Sequence, residues 1–327
     1  MARSELGELN GYSHRMPNPM LLLSPAIVRE SVASSNIENI NTTVGEVLQA
    51  QLFPEIERPE SNKEVLRYRE ALIAGDELLK KFPISERLVN RIHDILIPGP
   101  SGGIRKIQNK IINTKTGEII YTPPAANEIP DLLKHLMQFC NKNNDIDPLL
   151  KTALVHYQFE GIHPYLDGNG RTGRILMVLM LKQYEILTIP VLFISGYIEK
   201  RRSQYYNLLL DVTKEQNWIE FLLFIIRGFR EQAAETKQLL FQISALLEEF
   251  CQTVKRTHPK IYSYDLVETI FTFPVITPAK LSEVLSIHRA TASRYLATLS
   301  NAKILTDSIV GKYHLYINKK LISLLNG

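Results

Sequence analysis

His163, Asp167, Arg171 and Arg174 fall within twelve consecutive positions of the stretch "GIHPYLDGNGRTGR", Gly161 to Arg174. An imidazole, a carboxylate and two guanidinium groups around an Asn-Gly turn concentrate a great deal of chemistry in one loop. Glycines at 168 and 170 let the backbone turn successive N–H groups toward one point. The helix expected to start at about Gly170 adds its unpaired N–H groups and the positive end of its dipole. The loop therefore predicts an anion nest suited to phosphates. Arg171 and Arg174, three residues apart, share one face of the first helical turn and can both reach phosphate oxygens. Asp167 would be repelled by those phosphates unless a cation lay between them, and Mg²⁺ bridging the carboxylate and the phosphates resolves the conflict. His163 titrates near neutrality, which suits a general base at the edge of the phosphate site.

Two plainer readings compete. Gly168-x-Gly170-x-x-Gly173 matches the dinucleotide-binding fingerprint, but that motif follows a strand and has an acid about twenty residues further on. Here a helical pattern and a His-Pro step precede it, and Leu187 and Thr188 stand at that distance. The second is an Asn-Gly turn with surface charges, in which His163 caps a helix. No GxxxxGK[ST] stretch occurs, which sets aside a P-loop nucleotidase.

The elements that must position this loop are mostly helical. Ser24 reads as an N-cap and Pro25 as the first residue of a helix running to about Asn39. After the linker "LFPEIERPES", helical patterns resume in "NKEVLRYREALIAGDELLKKF" and "SERLVNRIHDIL", and "IPGPSGG" breaks them. "NKIIN" and "EIIYT" around the turn-prone "TKTG" read as a hairpin that Pro123-Pro124 stops. "ANEIPDLLKHLMQFC" is again helical. So is "DPLLKTALVHYQFE", with Leu149, Leu150, Ala153, Leu154 and Tyr157 at helical spacing. The loop follows, then the apolar helix "RILMVLMLKQYEIL". Long helices extend from Arg201 to about Thr257. From Ile261 the texture changes to three short helical patterns and two short β runs around Gly311, the order of a winged helix-turn-helix. The domain boundary is expected near 255–262.

Bulk properties narrow the class. The 327 residues allow two domains, or one large domain with a small appendage. Apolar residues at 45% and charged residues at 22% supply an ordinary core and surface. A net charge of +4 is too small to imply nucleic acid by itself. Cys140 and Cys251 lie far apart with no CxxC, against a disulfide framework or a structural zinc site and in keeping with a reducing cytosol. The N-terminal apolar run is too short for a signal peptide. "WIEFLLFIIRGF" is interrupted by Glu220 and Arg227, so it reads as a buried helix that does not span a membrane. The expectation is a soluble, cytoplasmic protein.

"HPYLDGNGRTGR" resembles the signature of the Fic family, H-x-F-x-[DE]-G-N-G-R-x-x-R, with Tyr165 where Phe is usual. The resemblance implies a mainly α fold, a Fic helical core with a β-hairpin flap, and transfer of AMP from ATP to a Ser, Thr or Tyr hydroxyl of a target protein with Mg²⁺. In that reading His163 deprotonates the target hydroxyl and Asp167 holds Mg²⁺. Gly168, Asn169, Gly170, Arg171, Thr172, Gly173 and Arg174 hold the phosphates. Glycine at 170, where the kinase-like Doc branch has lysine, favours nucleotidyl over phosphoryl transfer. The hairpin Asn109 to Thr122 resembles the flap that clamps the target backbone as an added strand and contacts the nucleotide. Its Ile111 and Ile112 are the expected contacts. "RRSQYYNLLLDV" resembles the later helix whose tyrosine, here Tyr206, lies near adenine.

Upstream, "SSNIEN" fits the inhibitory motif [ST]-x-x-x-E-[GN] of such relatives, with Ser34, Glu38 and Asn39. There the Glu pairs with the second motif arginine, here Arg174, and obstructs the γ-phosphate, since a carboxylate competes with phosphate for one guanidinium. The same stretch also reads as a capping box, Ser35-x-x-Glu38. Near the C-terminus, Thr277-Pro278 opens a short helix, Ser286-Ile287 makes the turn, and Arg289 to Leu299 would be a recognition helix. Its Leu296 and Leu299 would face the core; Arg289, Thr291, Ser293 and Arg294 could face DNA. From Lys260 onward eight Lys/Arg stand against four Asp/Glu. Winged helices also serve protein contacts, so DNA and protein both stay open, as does a homodimer.

The expected plan is an arm with an inhibitory helix over 1–60, a Fic catalytic core over 61–211, a helical extension over 212–259 and a winged helix-turn-helix over 260–327. The rival reading is a DNA-binding regulator whose Fic core senses nucleotide without turnover. The target protein, the preferred nucleotide and any removal of AMP are not legible.

Overall fold

The computed structural model describes residues 1–14, 19–99, 102–112 and 116–326, and of residues 19–23 the backbone alone. The N-terminal half comprises α1 (Ala2–Ser13), α2 (Pro19–Ile37), α3 (Val44–Ala50), α4 (Glu60–Leu79), α5 (Glu86–Leu96), β1 (Ile111–Ile112), β2 (Ile119–Tyr121), α6 (Ile129–Asn141) and α7 (Pro148–Ile162). Then come α8 (Asn169–Gln183), α9 (Ser195–Lys200), α10 (Arg202–Glu215) and α11 (Trp218–Thr257). The C-terminal elements are α12 (Tyr264–Thr272), β3 (Val275–Ile276), α13 (Pro278–Leu285), α14 (Arg289–Asn301), β4 (Thr306–Val310), β5 (Tyr313–Ile317) and α15 (Lys319–Asn326). Part of the "TKTG" turn and part of "IPGPSGG" lie outside the described residues.

The first compact unit comprises Met1–Asn10, Ala33–Ile40 and Arg67–Ala234. Its centre is α8, buried from Arg171 to Leu181. A helix apolar on every side must be enclosed by others, and α5 and α7 pack directly against it. Asp147 starts α7 by accepting from the Leu149 N–H at 2.8 Å, with Pro148 in the first turn. Ser85 caps α5 in the same way. β1 and β2 pair antiparallel, Ile111 opposite Tyr121 and Ile112 opposite Ile119, with an irregularity between the two pairs.

The second unit comprises Gly11–Val32, Asn41–Leu66 and Glu235–Gly327. Strands β3, β5 and β4 form an antiparallel sheet in that order, and β4 turns into β5 through Gly311 at φ 55°. Leu281, Leu296, Leu299 and Leu315 form its core at 0% exposure. Thr277 caps α13 through the Lys280 N–H, and Ser286 ends it in the left-handed region. Helix α3 lies against β3 and α15. Just beyond it, Phe53 packs on Tyr313 with ring centroids 4.7 Å apart. Glu57 accepts from Lys312 Nζ at 2.8 Å and from the Tyr313 hydroxyl at 2.9 Å.

The expected start at Ser24 needs correction. Helix α2 is already formed at Pro19, so Ser24 is no cap and Pro25 lies inside the helix. Pro25 removes one backbone donor, while Ala26, Ile27 and Val28 are at most 1% exposed, and their burial offsets that loss. Ser35 likewise sits within α2, and Glu38 donates its backbone N–H to the Ser35 carbonyl, so the capping-box reading of Ser35 and Glu38 fails. A capping box does occur at Thr43 and Glu46, which starts α3.

Candidate functional site

The signature loop joins α7 to α8, and its own side chains hold it in shape. Pro164 excludes the right-handed helical region for the residue before it. His163 accordingly ends α7 at φ 51°, a left-handed conformation unusual for a residue with a Cβ. Asn169 closes the turn: its Oδ1 accepts from the Tyr165 N–H and its Nδ2 donates to the Tyr165 carbonyl, both at 2.9 Å. The Thr172 hydroxyl donates to the Gly168 carbonyl at 2.8 Å. Gly168 has φ 78°, and a Cβ there would lie 2.9 Å from Ile97 and 3.5 Å from the His93 ring. Tyr165 stacks on His93 at 3.6 Å between centroids and donates its hydroxyl to Asn90 at 2.7 Å. The tyrosine in place of phenylalanine has therefore found a partner for its polar end.

Above the loop opens a cleft of about 690 Å³, whose lining includes Glu38, His163, Gly170, Arg174, Ile112 and Tyr206. The His163 ring is oriented by Nδ1, 3.3 Å from the Glu160 carbonyl. A carbonyl only accepts, so Nδ1 carries the proton and Nε2 keeps its lone pair. Burial lowers the His163 pKa, the charge of Arg105 lowers it further, and the hydrogen bond to Glu160 opposes both. At neutral pH the ring is a neutral base.

Arg174 is 1% exposed and fully engaged with the end of α2. Its Nε donates to Ser34 Oγ at 2.8 Å, and its Nη2 to the Ser34 carbonyl at 2.8 Å and Glu38 Oε1 at 2.9 Å. Burial opposes the guanidinium charge, but Glu38 beside it prevails and the pKa is raised. Gly170 is what lets the pair form, since a Cβ there would collide with Glu38 Oε1 and stand 2.8 Å from Arg174 Nη1. Asn39, at φ 64°, accepts from Arg202 at 2.8 Å, and Asn36 donates to Glu199 at 2.8 Å.

The expected residues divide into two groups. His163, Gly170, Arg174, Glu38, Asn39, Ile111, Ile112 and Tyr206 line the one cleft. Asn169 and Thr172 turn their polar groups into the loop, and Gly173 faces α7. Arg171 is 1% exposed, with Nη2 3.4 Å from Asp167. The Asp167 side chain is 69% exposed, and its Oδ1 accepts from the Gly168 N–H at 2.6 Å. Among the described residues no group of three or more His, Cys, Asp or Glu gathers to form an all-protein metal cage. The exposed Asp167 carboxylate, just ahead of α8, fits Mg²⁺, which takes one or two carboxylates and fills its shell with phosphate and water. At the C-terminal end Arg289, Ser293 and Arg294 are exposed on α14, and Thr291 is half-buried.

Several residues around the cleft escaped the sequence reading. Glu160 lines it with a side chain 13% exposed, and burial pushes its pKa up to about 8. His156 lies behind, 3.9 Å from Glu160 and hydrogen-bonded to the Tyr205 hydroxyl at 2.8 Å; burial lowers its pKa to about 3. Both tyrosines of "QYY" border the cleft, Tyr205 buried at 2% and Tyr206 open at 38% exposure. Arg105 and His93 hold backbone carbonyls of the loop, contacts that no residue spacing encodes.

Comparison with known proteins agrees with this architecture. Three family models match in succession: the Fic/DOC family N-terminal region over residues 1–77, the Fic/DOC family over 83–181, and the C-terminal domain of SoFic-like protein adenylyltransferases over 246–321. A probable protein adenylyltransferase of Aquifex aeolicus is 27% identical over 192 residues, covering 57% of each chain. The protein adenylyltransferase Fic of Drosophila grimshawi is 36% identical over 109 residues, 32% of this chain and 21% of its own. The chain thus spans little more than half of one relative and a fifth of the other. Among solved structures, a Fic family protein from Desulfovibrio desulfuricans aligns with a TM-score of 0.61 at 20% identity, covering 97% of this chain and 94% of that one. Fic-1 of C. elegans aligns at 0.56, also at 20% identity, over 74% and 70%. No helix among the described residues is long and apolar enough to cross a membrane. With the signature loop, the flap hairpin and these successive matches along its length, the chain belongs to the Fic/DOC family.

Proposed function

We propose that the protein is an adenylyltransferase that moves AMP from ATP to a hydroxyl of a target protein and is held in check by Glu38. One observation carries the reading: a neutral His163 and the buried Arg174 face one cleft, and Arg174 is occupied by Ser34 and Glu38. In the active state the N–H groups at the start of α8 and Arg174 bind the triphosphate. The target segment lies along the flap as an added strand. His163 Nε2 takes the hydroxyl proton as the oxygen bonds to the α-phosphorus, and the bond from that phosphorus to pyrophosphate breaks. Asp167 would hold Mg²⁺, which neutralises phosphate charge when bound. The similarity to proteins named adenylyltransferases supports this chemistry, and the protein is taken to act in the cytoplasm.

The C-terminal elements act, in this proposal, as a winged helix-turn-helix that contacts DNA through α14. The exposure of Arg289, Ser293 and Arg294 on one helix favours that reading. The test of function is incubation with ATP labelled at the α-phosphate and Mg²⁺, alone and in lysate. Label on protein is expected, and His163→Ala should lower it by roughly 10²–10⁴ while leaving nucleotide affinity nearly intact. Nucleotide binding without transfer, in the Glu38→Gly protein as well, would favour a regulator that only senses nucleotide.

A further inference from the structure

Arg105, 2% exposed, makes more contacts with the loop and the flap than any role assigned above would need. Its backbone N–H donates to the Pro164 carbonyl at 2.9 Å and its Nε to the His163 carbonyl at 2.9 Å. Its Nη1 donates to the carbonyl of Ile107, where the chain enters the flap, at 3.0 Å. Its Nη2 donates to the carbonyl of Pro124, where the chain leaves it, at 2.6 Å. One planar guanidinium thus spans three chain segments: the signature loop, the entry to the flap and the exit from it. We infer that Arg105 is the positioning residue that fixes the flap in register with His163, so that a hydroxyl held on the flap stands where the His163 ring can take its proton.

The chemistry favours arginine over any alternative. Its fork presents donors in fixed directions, whereas lysine offers one flexible point charge. The His163 backbone is held in the left-handed region, and such a conformation persists only where surrounding contacts over-determine it. Tyr121 adds a second tie, donating its hydroxyl from β2 to the Gly161 carbonyl at 2.9 Å. Outside the flap both residues bond to the carbonyls of Gly161, His163 and Pro164, ahead of the start of α8, so triphosphate binding there and hydroxyl positioning are separable. The inference rests on the proposed transfer only for the meaning of the register; the register is measurable without it.

Two variants separate fork from charge: Arg105→Lys keeps the cation, and Arg105→Gln loses both. Hydrogen exchange of the flap amides should speed up at least ten-fold in both. The His163 titration, followed by NMR of the labelled ring, should move upward in Arg105→Gln and stay near the parent in Arg105→Lys. The groups bearing on that ring are Arg105, Glu38, Asp167 and the Glu160 carbonyl, and only the first is changed. In the Glu38→Gly background transfer should fall by roughly a hundred-fold in kcat, with the affinity for a fluorescent ATP analogue unchanged. In the unmodified protein the Arg105 Nε–H should exchange far more slowly than that of a surface arginine. Unchanged flap exchange in both folded variants, an unchanged ring titration in Arg105→Gln, or a fast Nε–H in the parent would overturn the inference. Faster flap exchange in both variants and a shifted ring in Arg105→Gln, with no transfer of AMP to any protein, would instead count against the adenylyltransferase reading alone.

Discussion

Arg174 is the residue on which the proposed brake and the proposed phosphate site converge, because one guanidinium cannot serve Glu38 and a phosphate in the same geometry. Each charge-assisted hydrogen bond of this sort contributes roughly 1.5–3 kcal/mol. Glu38→Gly should therefore raise self-labelling by at least ten-fold at saturating ATP and Mg²⁺, and Arg174→Ala should abolish it. The double variant should behave as Arg174→Ala alone; equal rates for wild type and Glu38→Gly would leave Glu38 a structural partner only. Glu160 offers a second test in the same pocket. Its carboxyl holds a proton up to about pH 8 in the folded chain, whereas an unfolded glutamate releases it near pH 4.3. Between those values the folded state binds the extra proton, so stability falls as pH rises through the window. Glu160→Gln removes that dependence. Urea unfolding should show the variant gaining on wild type from pH 5 to pH 8 by an amount on the order of a few kcal/mol, at about 1.4 kcal/mol per unit. Parallel stability curves across that range would contradict the buried neutral carboxyl.

At the scale of elements, α7 and α8 approach each other so closely that a residue type is dictated. A Cβ on Gly173 would stand 2.5 Å from Glu160 Oε1, 3.2 Å from Phe159 and 3.3 Å from His156. Glycine to alanine in an exposed helix interior stabilises by about 1 kcal/mol. Here overpacking should reverse the sign and cost roughly 1–3 kcal/mol, measured by urea unfolding; a neutral or stabilising Gly173→Ala would show that the two helices can part. Elements with strong local signals were legible in the chain itself. Pro148 after Asp147, Pro278 after Thr277 and the apolar run of α8 gave helices where the structure has them. Helix α1 was not legible, nor was α3, although its Thr43-x-x-Glu46 capping box was there to be read. The start of α2 was misread because Pro25 looks like a first-turn residue and here lies inside a helix. The turn at Gly168 and the helix that follows it were readable from residue types. Arg105, Glu160 and His93 were not, because they act on carbonyls and cavities that only the folded chain brings to them.

For the molecule as a whole, what remains is what α14 meets. The segment from Lys260 onward is not self-contained, because α3 lies against β3 and α15 and Phe53 packs on Tyr313. The binding experiment therefore belongs on the full chain. The exposed face of α14 carries Arg289 and Arg294, and Arg294 shares a shallow cleft with His258 and Lys260. Lys312, at the hairpin turn, is paired with Glu57 instead. A duplex bound through α14 should show affinity that falls with salt, with a slope of about 0.9 per phosphate neutralised. Replacing Arg289 and Arg294 together by alanine should weaken binding and reduce the slope by about two. Lys312→Ala should leave the slope unchanged, since its charge is already answered within the protein. Fluorescence anisotropy of a labelled duplex over a salt series measures all three. No binding even at low salt, or a slope insensitive to both arginines, would assign α14 to a protein surface, and the mild excess of basic residues there would be only a solvated face.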